Sequence, residues 1–392
     1  MIIYEDKKEC CGCNACFNIC PNDAIQMVED EKGFKYPSIN SKCIGCKLCI
    51  SVCPLKQNTN KKNDKVNVYA IKNKAEEIRK KSSSGGFFHA LSEYVINNNG
   101  YVFGAVYDEK FDVHHIGTND LTESNRFKGS KYVKSDVNIT YKQVKDLLEN
   151  NKLVLYSGTP CQIHGLKTYL GKVNQEKLIT CDNVCHGTPS PKIFREYKEE
   201  LENKYNSKIK DFTFRYKVNN TTQNIYALFE NGEKYIANSS IDKYYRLFLD
   251  NINLRDCCFE CKYSNTNRIG DFSMADFWGI EKTIKDFDDG NGISLVIVNN
   301  LKSKLIFDKI SNEFHIVESN IGDALQTNLI HPSIPDKNKD TFWNSYINYG
   351  YEYSVKKFTK LPIKIKIKNL LKKILNKFGI LDQVKRMKIV NE

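Results

Sequence analysis

Two stretches of the 392-residue chain repeat one cysteine pattern. The first is Cys10-x2-Cys13-x2-Cys16-x3-Cys20-Pro21, and the second is Cys43-x2-Cys46-x2-Cys49-x3-Cys53-Pro54. Thiolates spaced in this way can wrap one face of an iron–sulfur cubane, while the fourth starts the next turn and reaches across to a second cubane. The proline that follows turns the chain away and offers no competing N–H. By that rule Cys10, Cys13, Cys16 and Cys53 hold one 4Fe-4S cluster, and Cys43, Cys46, Cys49 and Cys20 hold the other. Gly12 and Gly45 let the loop backbone approach the sulfides. Cys11 is left as an extra thiol, because only Cys10 has the right spacing to Cys13. Zinc fits poorly: it takes four ligands, usually as two separated pairs, and here eight fall in two identical runs.

These loops need a frame. Residues 24–27 and 34–37 read as a short hairpin between the runs, so residues 1–56 resemble the repeat of loop, helix and strand pair of a bacterial two-cluster ferredoxin. Residues 57–65 are polar and read as a linker. From residue 66 the chain alternates strands and helices. Strands are expected at 66–71, 101–107, 111–116, 153–156, 178–181 and 293–298, with 101–107 and 111–116 as a hairpin. Helices are expected at 87–96, 139–149, 193–203, 242–249 and 302–310. The fold class is therefore α+β: a ferredoxin-like domain followed by a mixed α/β domain over 66–358.

Nine of the fifteen cysteines lie from Cys10 to Cys53, and none lies between Cys53 and Cys161. No signal pattern and no run of about 18 apolar residues is found. The expectation is a cytoplasmic protein whose cysteines serve metal or redox chemistry rather than disulfides. The net charge of +12 is concentrated after residue 359, so nucleic acid is not an expected partner.

The body carries further motifs. Ser82-Ser83-Ser84-Gly85-Gly86-Phe87 precedes an amphipathic helix, where a serine cap and glycine N–H groups suit a phosphate or a flavin ring. Residues 153–156 run into Ser157-Gly158-Thr159-Pro160-Cys161-Gln162, a strand, a turn and a helix start that stabilises a thiolate. A catalytic thiol, a cluster ligand or an inert buried cysteine all satisfy that segment. Cys181, Cys185, Cys257, Cys258 and Cys261 could join Cys161 in a third metal site, with zinc as the alternative metal. His186 and His89 are open as ligands or acids, while His114, His115, His164, His315 and His331 read as structural. Asp276 and Trp278 end a strand and could line a planar ligand, though core packing explains Trp278 equally well.

Together, SSSGGF at Ser82, GSKYVKS at Gly129, SGTPCQIHGLK at Ser157, CDNVCHGTPSP at Cys181, LRDCCFECKY at Leu254 and DFSMADFWG at Asp271 resemble the coenzyme F420 hydrogenase/dehydrogenase beta-subunit family. The resemblance covers both parts of that family and runs from about residue 66 to 353. The branch with a fused two-cluster ferredoxin domain, often encoded beside polysaccharide-biosynthesis genes, is the nearest in style. It implies an oxidoreductase that binds FAD and a further 4Fe-4S cluster and exchanges electrons with a hydride-accepting substrate, F420 or another organic acceptor. Carried onto this chain, it implies FAD contacts from Ser84, Gly85, Gly86, Ser130, Lys131, Tyr132, Thr159, Pro160, Gln162, Asp276 and Trp278. It implies a third cluster on Cys161, Cys185, Cys258 and Cys261, with Cys181 and Cys257 as alternates. Cys258 is preferred because Cys258-x2-Cys261 chelates.

The chemistry is coherent without the name. Clusters carry one electron and a hydride carries two, and a flavin exchanges with both. An electron-relay subunit without its own substrate site is the alternative. Expected partners are an electron donor or acceptor protein, or a hydride-accepting small molecule. The basic tail, 359–392, sets Leu370, Leu371, Ile374, Leu375, Phe378, Leu381 and Val384 near helical spacing with Gly379 as a break. Such a helix can dock on protein or lie peripherally on an anionic membrane.

Overall fold

The computed structural model describes residues 3–57, 66–218 and 221–360. Most of the expected linker and nearly all of the basic tail lie outside the described residues.

In the N-terminal unit, β1 (Ile25–Glu29) and β2 (Lys35–Ile39) pair antiparallel, as the hairpin reading requires. Each cysteine loop ends in a short helix, Ala15–Ile19 after the first and Leu48–Ser51 after the second.

The body is built on one eight-stranded mixed sheet. Its strands are β3 (Asn67–Asn73), β4 (Tyr101–Tyr107), β5 (Val113–Thr118), β6 (Val154–Gly158), β7 (Leu178–Asn183), β11 (Phe272–Asp276), β12 (Ser294–Val298) and β13 (Phe314–Ser319), in the order β13-β3-β12-β11-β7-β6-β4-β5. The central four, β11-β7-β6-β4, run parallel, and antiparallel strands flank them. β6, β7 and β12 are apolar runs because both of their faces are covered. The helices Phe87–Asn97 and Leu301–Ile310 share one core with the sheet through Phe87, Leu91, Phe272 and Phe307. The helices Thr140–Glu149 and Pro160–Leu170 share another through Tyr141, Leu166, Phe103 and Tyr156.

A second sheet, antiparallel, of β8 (Ile209–Val218), β9 (Thr221–Phe229) and β10 (Lys234–Asn238) packs with the helix Pro191–Tyr205 and the long C-terminal helix Lys339–Phe358. Neither this sheet nor the long helix was expected from the sequence. The first is interrupted by polar residues around 217–224, and the second is aromatic rather than periodic, with Gly350 kinking it at φ 76°.

The N-terminal unit is built into the body rather than tethered to it. Cys11, Cys13, Ala15 and Val52 belong to the core of Tyr141 and Leu166, while Phe34 and Tyr36 belong to the core of Ile193 and Trp343. Among the described residues no helix is long and apolar enough to cross a membrane.

Candidate iron–sulfur and cofactor site

The two cysteine loops share one backbone. Gly12 and Gly45 have φ of +62° and +74°, and Asn14 and Lys47 are both left-handed at φ 62°. The chain reversals on either side of the second thiol of each loop need these left-handed residues. Cys20 lines a small cavity with Cys43, Cys46 and Cys49. Cys16 faces Cys10 and Cys53; its thiol is pushed up first by burial and then by those two neighbours. The Cys13 sulfur lies beside Gly165 and Cys11.

A third thiol group lies in the body. Cys185 is surrounded by Cys258, Cys161 and Cys261, and burial followed by these thiols raises its pKa well above the ordinary range. Cys181, by contrast, is fully buried in the core of β7 and β11 with Asp182 and Asp271 as its charged neighbours. Of the two alternates, the structure thus leaves Cys181 out of the group. Cys257 stays close, hydrogen-bonded to Cys258. That bond is the main reason the Cys258 thiol is lowered, and the Thr188 N–H, 3.4 Å from the sulfur, adds to it against burial. Cys11, the extra thiol, reaches hydrogen-bond range of both Cys13 and Cys161. It therefore stands between the first loop and the body group. No three His, Cys, Asp or Glu side chains among the described residues close on one point as a lone metal ion requires.

Lys134 tests what this group can hold. The residue is buried, and its Nζ has no hydrogen-bond partner. Burial opposes its charge, and Cys161 and Cys11 beside it would favour that charge as thiolates. A buried ammonium needs a counter-charge. An anionic cluster on these thiols supplies one, so the residues fit a 4Fe-4S group.

Beside the thiols lies a cavity of about 340 Å³, within the span of small-molecule sites. It sits at the carboxyl ends of the parallel strands, where Thr159 follows β6, Cys185 follows β7 and Asp276 ends β11. Ligands in open α/β sheets bind at this edge. Of the expected contacts, Ser84, Gly86, Ser130, Lys131, Tyr132, Thr159, Gln162, Asp276 and Trp278 line the cavity. Gly85 and Pro160 do not line it. Gly85 donates its N–H to Ser294 Oγ at 2.8 Å, and a Cβ there would stand 2.2 Å from Ile71 O, so close strand packing explains it. The expected serine cap is also absent: Gly86 caps the helix at φ 90° with no side-chain bond. The serines bind elsewhere, Ser82 to Ile78 O, Ser83 to Ser130 and Ser84 to Ile293 O. Lys131 turns its ammonium onto the carbonyls of Arg126, Lys128 and Gly129 rather than inward.

Thr159 and Gln162 form a capping box that sets the start of the helix behind Cys161. Trp278 is 60% exposed at the cavity edge, which removes core packing as its explanation. His89, His115 and His186 line the cavity. His115 is stacked on Tyr156, with Nε2 3.0 Å from Ser157 O, and burial lowers its pKa to about 4. His164 Nδ1 meets Tyr263 Oη at 2.9 Å, a structural role as expected.

Sequence reasoning missed Arg215, Lys134 and Arg255. Arg215 lies on β8, pairs with Asp276 at 2.7 Å and binds Tyr132 Oη and Ser83 O, tying four cavity segments together. Its only signal was an arginine alternating with Phe212 and Phe214 along one strand.

Residues 3–60 match the 4Fe-4S dicluster domain, and residues 151–324 match the family described as the C terminus of the coenzyme F420 hydrogenase/dehydrogenase beta subunit. The chain thus joins a 4Fe-4S dicluster segment to a segment similar to the C terminus of that beta subunit. No curated protein matches it. Its backbone is similar to a chain of the xenon-derivatised F420-reducing [NiFe] hydrogenase complex from Methanosarcina barkeri, at a TM-score of 0.44 and 16% identity, over 77% of this chain and 93% of that one.

Proposed function

We propose that the chain carries electrons through three 4Fe-4S clusters to FAD in the 340 Å³ cavity, and from there to a hydride-accepting organic substrate. The observation that carries this reading is the shared wall. Cys185 lines the cavity and belongs to the body thiol group, and Thr188 lines the cavity while binding Cys258 Sγ. Electrons arriving at those thiols are thus next to the cavity without a further carrier.

The N-terminal eight ligands are assigned as two crossed sets, and Cys161, Cys185, Cys258 and Cys261 as the third. FAD supplies the exchange between single electrons and a hydride. The chain's own residues hold and orient it. Tyr132 and the Arg215–Asp276 pair fix one wall, and Phe248 and Val113 give apolar cover. Exposed Trp278 offers an aromatic face on which a planar substrate can stack. F420 is one such substrate, and an acceptor in polysaccharide biosynthesis is another.

Anaerobically prepared full-length protein should contain about twelve irons, with matching sulfide, and one FAD. About eight irons without flavin would reject both the third cluster and the cavity assignment. Arg215→Ala leaves the half-buried Asp276 without its cation partner and should empty the cavity of flavin. Flavin retained in full would count against this site.

A further inference from the structure

Arg255 belongs to the body, yet its side chain ends in the N-terminal unit. Its own N–H is bonded to Thr188 O at 3.0 Å, and it caps the short helix Asp256–Glu260 that bears Cys257 and Cys258. The guanidinium reaches back to the first cysteine loop. Nε donates to Cys10 O at 2.8 Å, and Nη2 donates to Lys35 O at 3.1 Å and lies 3.5 Å from Cys10 Sγ. It is 1% exposed and lies 4.0 Å over the Tyr36 ring. After burial, which opposes its charge, the Cys10 thiol and Tyr36 are its strongest electrostatic neighbours, and Cys257 and Cys11 follow. Among the described residues the equivalent place in the second loop is bare. A Cβ on Gly12 would meet Arg255 Nη1 at 3.1 Å, whereas one on Gly45 would meet nothing within 4 Å.

We propose that Arg255 is a positioning residue that makes the inner N-terminal cluster, on Cys10, Cys13, Cys16 and Cys53, a better one-electron acceptor than the outer one. The inference rests on the crossed ligand assignment. Hydrogen bonds to cluster sulfurs and burial are among the levers that set the potential of an iron–sulfur centre. Reduction adds one negative charge to the centre and forms or breaks no bond. A buried guanidinium donating to a ligand sulfur stabilises that added charge, so the inner potential rises. Among the described residues the outer loop has no such cation against its glycine, so its potential is unshifted by this means. The body residue that donates to Cys10 is also the residue that precedes the third group's ligands. Its position favours electrons moving inward.

Redox titration of the full chain followed by EPR tests this, with Cys46→Ala used to assign the outer signal. In Arg255→Gln the inner midpoint should fall by at least the equivalent of tenfold in the one-electron equilibrium, about 59 mV, with the outer midpoint unchanged. Arg255→Lys, which keeps charge but loses the fork, should fall between. If Arg255→Gln loses iron, the native chain labelled with 15N-arginine replaces it, and the reduced inner cluster should show a nitrogen hyperfine coupling. An unmoved inner midpoint in an iron-replete variant, or no arginine coupling in the native protein, overturns the proposal. A missing flavin would bear only on the cavity and leaves both midpoints measurable.

Discussion

Asn14 and Lys47 hold the same place in the two cysteine runs and nearly the same backbone angles, φ 62° and ψ 11° against φ 62° and ψ 9°. Cys20 and Cys53 agree as closely, at φ −67° and −69° with ψ 115° in both. Yet Asn14 is buried and Lys47 is exposed. From Cys11 to Ala15 every residue is covered by the body, and from Ser41 to Leu48 every residue but the half-buried Cys43 is exposed. The cysteine spacing therefore dictates loop shape, and the residues between the cysteines dictate where the loop sits. Asn14 tolerates the left-handed turn and binds Asp136 of the body at 2.6 Å, while Gly12 leaves room for Arg255. At the matching positions the second loop has a lysine and an unopposed glycine.

The largest test of this contrast removes one ligand from each loop. Cys16→Ala and Cys46→Ala should each cost about four irons. The losses should differ in kind. Cys46→Ala opens an exposed loop and should leave the melting of the remaining fold nearly unchanged. Cys16→Ala empties a loop packed into the Tyr141–Leu166 core and should lower the melting temperature clearly. Equal melting shifts at equal iron loss would break the contrast.

Glycine substitution is the next size down. A left-handed alanine costs about 1–2 kcal/mol, which both Gly12→Ala and Gly45→Ala incur. Only Gly12→Ala also presses on Arg255, and overpacking of a close core adds about 1–3 kcal/mol. Thermal unfolding under anaerobic conditions should rank Gly12→Ala as the more damaging. The reverse rank would mean that the inner loop relaxes away from the body.

Much of this arrangement was legible in the sequence, for reasons the two loops make plain. The ligand spacing is a local property, and so were the hairpin, the strands feeding Thr159 and Cys185, and most of the helices. The choice of Cys185 over Cys181 was open because both lie near the end of β7. What separates them is the end of the strand: Cys181 lies within β7, turned into the sheet core, and Cys185 lies two residues past its last residue, Asn183. Arg255 and Lys134 stood inside quoted motifs and were passed over, because their meaning depends on contacts with Cys10, Cys11 and Cys161 far away in sequence. Gly85 was misread for the same reason. Its neighbours are Ile71 O and Ser294, which nothing near it in the chain reveals.

A smaller effect separates the side chains that make the contrast. Asn14→Ala removes a hydrogen bond to the Asp136 carboxylate, which Lys35 also pairs at 2.7 Å. Bonds to charged groups are worth about 1.5–3 kcal/mol. Lys47→Ala, on an exposed loop, should stay within about 0.5 kcal/mol. Chemical denaturation of the two variants reads the difference, and a costly Lys47→Ala would show that the outer loop has a partner within the chain.

The smallest expected effect concerns rate rather than stability. The exposed loop presents Ile44, 68% exposed, between Lys42 and Lys47, directly over the set of Cys20, Cys43, Cys46 and Cys49. If electrons enter there from a one-electron carrier protein, the lysines favour a carrier with an acidic face. Charges at an encounter surface act mainly on association rate and lose their reach as salt shortens the screening length. Reversing both charges, Lys42→Glu with Lys47→Glu, should slow reduction by an acidic ferredoxin or flavodoxin on the order of tenfold at low ionic strength. At high salt the variant and the native protein should converge. Cluster content and midpoints should be unchanged, because neither lysine side chain is a ligand. Stopped-flow reduction across a salt series measures this directly. A variant that is reduced as fast as the native protein at low salt would place electron entry elsewhere. The buried loop would then have to be reached through the body, and the two loops would differ in packing without differing in role.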